Sequence, residues 1–289
     1  MRDFTFAAYR ELISSLEGNR YKFYTFEQFL NEHPSRSVIL RHDVDEQPDQ
    51  AILLAEFENS RSITASYHIR VFPVKKSNYI KFIKRIVELG HEIAYHYEDL
   101  TRTLSSAGRM KSLKFRELVL LKGIEKAKSS FISNLNWLRE YYPVKVISMH
   151  GTPLSDIDNR ILWDHMSYRE LGVICEPYLD INYAEVLYLT DTGRRWDAFL
   201  SNRRDRILNK PEVTNNAFTS NKTILTTDGL HTTFNLINKI QSGLMPEKII
   251  INTHPQRWTD TKIQWLVEYI GQNFRNFIKS ILFRWSVFI

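Results

Sequence analysis

A chain of 289 residues with 43% hydrophobic content has enough apolar material for one large α/β domain, and nothing linker-like divides residues 1–289. Its 39 Lys and Arg exceed its 33 Asp and Glu, a net charge of +6; the cations are spread through helical stretches, with no zinc finger or RNA-binding signature, which excludes a nucleic-acid partner. The single cysteine, Cys175, permits no internal disulfide and reads as a buried structural thiol.

The start, Met1-Arg2-Asp3-Phe4-Thr5-Phe6, lacks the pattern of an export signal, and no run reaches membrane-spanning length. The expectation is therefore a cytoplasmic protein with no transmembrane segment. Helices are predicted over residues 5–16 and 26–31, the second opened by the capping box Thr25-Phe26-Glu27-Gln28 with Tyr24 and Phe29 as a hydrophobic staple. Residues 1–36 thus form a helical cover over one end of the domain. Ser37 to Asp45 is the first strand and Ile63 to Arg70 the second, with a helix from Gln47 to Asn59 between them. A helix at Ser77 to Leu89 precedes a strand at Gly90 to Glu98. Residues 105–140 are helical, with Gly123 as a break or bend.

Further strands are predicted at Val144 to Gly151, Gly172 to Glu176, Val186 to Thr190, Thr223 to Thr227 and Lys248 to Pro255. Residues 197–222 are polar and aperiodic and read as a long loop; Arg203-Arg204-Asp205-Arg206 within it suits an anionic substrate. Residues 259–289 form a helix rich in Trp, Phe and Ile with Lys and Arg between. Two readings stay open for it: a closing helix of the domain, or an amphipathic helix in peripheral contact with a membrane.

The first strand ends in Arg41-His42-Asp43-Val44-Asp45. Side chains two apart on a strand share a side, so Asp43 and Asp45 face one space, where their repulsion calls for a cation, a proton or solvent. Three later strands also end in polar residues, each with a histidine: His96, His150 and His254. Strands alternating with helices argue for parallel strands joined by crossovers, whose C-terminal ends gather on one face. The five residues can therefore meet. Trp163, Trp196 and Trp258 offer rings either for stacking on a sugar or, the default for tryptophan, for buried packing.

These segments resemble the polysaccharide deacetylase family, the NodB-homology carbohydrate esterases, and within it a divergent branch opening with His-Asp-Val-Asp, across roughly residues 37–258. The resemblance implies a distorted (β/α) barrel of about seven parallel strands with outer helices. It implies Asp43 as general base and Asp45 as metal ligand, with Arg41 supporting them. Gly90-His91-Glu92-Ile93-Ala94-Tyr95-His96 resembles the family's second motif and makes His96 a ligand. Leu100 stands where a second ligand histidine belongs, so the missing ligand is His150 or Glu98, His150 being favoured because separate elements build an open site; Glu98 is otherwise a supporting residue that orients His96. His91 points to the opposite face and is structural. His254, in Asn252-Thr253-His254-Pro255, resembles the family's general acid; Asp191 and Arg195 are candidates for orienting catalytic groups or binding substrate, as is Trp258.

The implied activity is metal-dependent removal of an N-acetyl group from an amino sugar or glycan precursor in surface polysaccharide or lipopolysaccharide biosynthesis. Zinc is the first choice of metal, with manganese, iron, cobalt or nickel as alternatives. The rival readings are a noncatalytic saccharide-binding barrel that lost its metal site at Leu100, and a hydrolase of another C–N amide bond.

Overall fold

The computed structural model describes residues 2–71, 77–105, 113–151, 157–197, 217–220, 223–226 and 229–286. Its first half runs α1 (Phe6–Gly18), β1 (Lys22–Tyr24), α2 (Phe26–Glu32), β2 (Ser37–Val44), α3 (Pro48–Ser60), β3 (Ser66–Ile69), α4 (Ser77–Glu88) and β4 (Glu92–Tyr97). Then come α5 (Asp99–Ser105), α6 (Leu113–Arg139), β5 (Ile147–Met149), α7 (Pro177–Asp180) and β6 (Leu187–Thr190). A ribbon of β7 (Ala217–Ser220) and β8 (Thr223–Thr226), then α8 (Thr233–Gln241), β9 (Lys248–Thr253) and α9 (Lys262–Ser286), complete the chain.

Seven parallel strands form one sheet in the order β5-β4-β3-β2-β9-β6, with β1 beside the first half of β2. Helices surround the sheet, which curls into a half-barrel: a distorted (β/α) barrel. Strand β2 holds the centre and is buried along its whole length. That explains the unbroken Val38-Ile39-Leu40, matched by Ile249-Ile250-Ile251 on its neighbour β9, because a parallel strand covered on both faces has no polar side.

The strand period divides β2 between two cores. Val38, Leu40 and Val44 belong to the large outer core shared with the helices, whereas Ile39 joins a smaller inner cluster with Ala94, Val146, Tyr188 and Ile250. Phe26 and Phe29 of α2 are buried in that inner cluster. The capping box forms as read, Thr25 accepting from the Gln28 amide while the Gln28 side chain accepts from Thr25 N–H. A carboxylate from β4 reinforces it: Glu92 accepts from the N–H groups of Phe26 (3.2 Å) and Glu27 (3.0 Å). Helix α1 instead packs in the outer layer against α8.

Four elements differ from expectation. Strand β1 is short and polar at its edge, and gave no run long enough to read. Helix α6 passes through Gly123 without a break. Residues 172–176 make a single bridge, Cys175 to Val146, because Gly172 turns at φ 71° and Pro177 opens α7 four residues after Val173. The predicted strand at 223–227 pairs antiparallel with β7, outside the main sheet. Residues 198–216 of the predicted loop, with Arg203 to Arg206, lie outside the described residues.

On the outer face of β2, His42 Nε2 lies 2.9 Å from Glu58 Oε1 and its Nδ1 2.7 Å from Thr253 Oγ1. Glu58, on α3, also accepts from the hydroxyls of Tyr9 and Tyr67 (2.8 Å). Burial would raise the Glu58 carboxyl, but His42 and its other partners hold it below its ordinary value. Glu58→Ala should strand His42 and two tyrosines in the core and cost about 3–5 kcal/mol, read from urea unfolding.

Glu92 behaves oppositely. Burial pushes it up to about 7 despite the hydrogen bonds it accepts. The unfolded carboxyl releases its proton near 4.5, so between the two values the folded chain holds an extra proton and stability falls as pH rises. Glu92→Gln should flatten the decline in melting temperature over that window.

Candidate active site

The two faces of β2 set the site. Where Ile39 points into the half-barrel, Arg41 and Asp43 follow at two-residue steps, and Asp45 comes just past the strand's end. Arg41 is fully buried and grips Asp43 with two bonds, Nε to Oδ1 at 2.7 Å and Nη2 to Oδ2 at 3.0 Å. Asn252 Nδ2, from β9, donates to the same Oδ2 at 2.9 Å. Burial would raise the Asp43 carboxyl, but Arg41 first, then His96, His254 and His68, hold it well below the usual carboxylate range. Asp43 is therefore an anion throughout the neutral range.

Asp45 lacks that compensation. Its Oδ1 is buried without a hydrogen-bond partner and faces two imidazoles, His150 Nε2 at 3.5 Å and His96 Nε2 at 3.9 Å. His96, on β4, has its other nitrogen Nδ1 3.1 Å from the Ser148 carbonyl, which only accepts, so the proton sits on Nδ1 and the Nε2 lone pair faces Asp45. Burial pushes His96 down to about 4 against the pull of Asp43, so the ring is neutral at physiological pH. His150, just after β5, stands with Nδ1 3.3 Å from Glu98 Oε2. Glu98 also accepts from Arg70 Nη2 at 2.6 Å; burial notwithstanding, His150 and Arg70 take it down to about 2.

The ligand atoms of Asp45, His96 and His150 all lie within 4.8 Å of one another, so these residues can hold a metal ion. Donors about 2.0–2.2 Å from one tetrahedral ion stand roughly 3.4 Å apart, near the spacing seen. A second group, Asp43, His68 and His96, satisfies the same distance condition. There Asp43 is already neutralised by Arg41 in contact at 2.7 Å, whereas the nearest guanidinium to Asp45, that of Arg70, stands off at 3.8 Å, which makes the Asp45 group the better fit. Leu100, in α5, is buried in the outer core.

His254, at the end of β9, closes the other side, with Nε2 4.0 Å from Asp45 Oδ2. Its Nδ1 lies 2.6 Å from Asp191 Oδ1, and its backbone N–H donates to Asp191 Oδ2 at 2.9 Å. Asp191 also accepts from Arg257 and from the Trp258 indole N–H. Burial would raise it, but Arg257 and His254 take it down to about 2.

Arg41, Asp43, Asp45, His96, Glu98, His150, Asp191 and His254 thus surround one space. Arg195 does not join them: it is exposed and bonds Asp197 and His231, because the turn after Asp191 sends Arg194 inward instead. Trp258 is fully buried against Phe4, Tyr9 and Trp196, where it holds Asp191 and has no open face for a sugar. Trp196 is equally buried, while Trp163 is half-buried and donates to the Tyr97 hydroxyl. His91 is buried on the outer side, where Nδ1 accepts from the Ala65 N–H.

The site also holds His68, Ser148, Asn252 and Arg70, which the sequence reading passed over. Ser148 and Asn252 lie two residues before His150 and His254, so strand parity would have placed them on the same side. His68 pairs in register with Asp43 across β2 and β3. Glu98→Gln should leave the fold intact and weaken zinc binding about 10–100-fold, measured by calorimetry, because His150 loses the carboxylate beside its Nδ1.

No family model matches this chain, and no curated protein sequence does. Among solved structures it is similar to the Xyl-CE4 domain of a multidomain xylanase from the hindgut metagenome of Trinervitermes trinervoides, at 12% identity and a TM-score of 0.35, covering 86% of this chain and 85% of that one. It is also similar to the peptidoglycan deacetylase PdaC from Bacillus subtilis, at 12% identity and a TM-score of 0.32, covering 87% and 98%. A mutant of PdaC matches equally, at 13% identity and a TM-score of 0.32 over 87% and 98%. Likenesses this distant bring no activity to the chain. What the coordinates define is an α/β half-barrel with an Asp–His–His group able to hold a metal at its strand ends.

Proposed function

We propose that this chain is a metal-dependent hydrolase that removes an N-acetyl group from an amino sugar or glycan precursor, with Asp45, His96 and His150 as ligands and zinc as the metal. The observation that carries this reading is the unpartnered, buried Asp45 Oδ1 facing two imidazole Nε2 atoms, with an ionised carboxylate on one side and a carboxylate-held imidazole on the other. The pattern Arg41 to Asp45, the Gly90 to His96 segment and the His254 strand end, which resemble the polysaccharide deacetylases, favour an acetylated sugar over other amides. The branch opening with His-Asp-Val-Asp favours a precursor in surface polysaccharide or lipopolysaccharide assembly on the cytoplasmic side.

When bound, a divalent cation supplies Lewis-acid polarisation of the acyl oxygen and makes a water acidic enough to deprotonate near neutrality. Asp43, held in place by Arg41 and Asn252, would accept a proton from the attacking water. His254 acts on the leaving side. Asp191 Oδ1 lies 2.6 Å from Nδ1 and Arg257 Nη1 2.9 Å from the same nitrogen; with the Nδ1 proton held toward Asp191, Nε2 would give its proton to the departing amine as the C–N bond breaks. The neutralising grip of Arg41 has a cost, since a carboxylate so stabilised is a weaker base, and its proton is readily passed on.

Elemental analysis of chain purified without chelator or metal-affinity tag tests the metal. Near-stoichiometric metal is expected in wild type and little in His96→Ala or His150→Ala. Asp43→Asn should keep the metal while turnover of N-acetylated amino sugars falls by about 10²–10⁴. Metal equally retained in both histidine variants overturns the ligand assignment, and metal absent from wild type after reconstitution leaves a noncatalytic saccharide-binding barrel.

A further inference from the structure

Helix α9 has its polarity reversed. The side facing the domain is held by polar groups: Trp265 donates its indole N–H to the Asp3 carbonyl at 2.6 Å, Asn276 Nδ2 donates to the Gly193 carbonyl at 3.1 Å, and Gln272 is buried. The opposite side exposes Ile263 (75%), Leu266 (51%), Val267 (67%), Ile270 (59%) and Phe274 (63%). Steps of three, one, three and four residues place these five on one stripe of the helix. Hydrophobic patches of this kind mark interaction surfaces.

We infer that this stripe docks on the surface of an anionic lipid bilayer, making the chain a peripheral membrane protein. No helix among the described residues is long and apolar enough to cross a membrane, so α9 lies in the plane of the interface. Charge selects the occupant. Glu268 is the one acid of α9, and it is drawn inward to Arg257 (3.9 Å) and Arg275 (3.0 Å). Lys262 is exposed, as is Arg275, and Asp260 just ahead of the helix lies 3.7 Å from Arg10. From Tyr269 to Ile289 the sequence carries Arg275, Lys279 and Arg284 with no Asp or Glu. Pairing with a second copy would bring together two helices of net positive charge, each with four Lys or Arg against one Glu, whereas acidic headgroups neutralise them.

The helix is anchored on segments that bear the site. Gly193 and Arg194 follow Asp191, and Arg257 follows His254; Arg194 lies 5.1 Å over the Trp265 ring. Docking would therefore hold the strand ends that carry Asp191 and His254 on the helix next to the membrane, within reach of a lipid-linked glycan. That extension rests on the deacetylase reading; the docking does not.

Flotation of the full chain with phosphatidylcholine vesicles, with and without roughly 30 mol% phosphatidylglycerol, tests the docking, and the bound fraction should be about tenfold higher on the anionic vesicles. The double variant Val267→Glu with Ile270→Glu should lose binding while its melting curve stays that of wild type. Lys262→Glu should weaken binding to anionic vesicles alone. Wild type that fails to float, or a double variant that floats as well as wild type, overturns the inference. So does a dimer in sedimentation that the double variant disperses while vesicles bind neither protein, since a second copy then covers the stripe. Vesicle binding is read without turnover, so its failure leaves the deacetylase reading standing, and loss of metal or turnover leaves the docking standing.

Discussion

The buried pair of Arg41 and Asp43 is the interaction on which the site depends. A carboxylate taken fully out of water is tolerated only with an opposite charge in close contact, and Arg41 supplies it from two residues away on the same strand. Once Asp43 is neutralised, the charge on Asp45 at the mouth is left without a close counterion. Arg70 approaches it only to 3.8 Å, and two imidazoles face it through Nε2. One strand end thus carries two carboxylates in different states, one internally compensated and one requiring a partner from outside. Environments that push like groups apart in this way separate their chemical roles.

The same strand works on its other side. His42 lies between Arg41 and Asp43 and points outward to Glu58 and Thr253, and Thr253 precedes His254 on β9. The outer polar cluster therefore ties together the backbone segments that carry the inner carboxylate and the inner imidazole. Packing alone would leave those strand ends free to adjust by fractions of an ångström. A bonded lock between β2, α3 and β9 leaves less room, which suits a site whose groups must meet within narrow distances.

Much of this was legible in the sequence because it follows from strand parity. The alternation of strands and helices placed Asp43, Asp45, His96, His150 and His254 at the ends of parallel strands, and the structure brings all five together. The capping box at Thr25 was readable for the same reason: its partners are three residues apart. Parity does not say which neighbouring strand lies alongside, so His68, matched to Asp43 only through sheet register, stayed hidden. Nor does it resolve a turn. Arg194 and Arg195 are adjacent and alike in sequence, yet one packs over Trp265 and the other meets solvent. Trp258 could be read as a sugar-stacking ring although burial is the default for tryptophan, and its buried indole N–H found Asp191.

Ser148 carries a last consequence, reached by counting protons. Its hydroxyl has one hydrogen and two lone pairs, and three groups converge on it: Arg41 Nη2 at 3.1 Å, His96 Nδ1 at 3.0 Å and His68 Nδ1 at 2.6 Å. Arg41 only donates, and His96 carries its proton on Nδ1. With the serine hydrogen given to His68 Nδ1, that ring is neutral, since burial, followed by the nearby Arg41, holds it well below its ordinary value. The remaining proton of His68 therefore sits on Nε2, buried and without a partner. A residue that distance alone would admit as a ligand is in this arrangement a fully buried N–H donor beside Asp43, with no lone pair left to offer a metal.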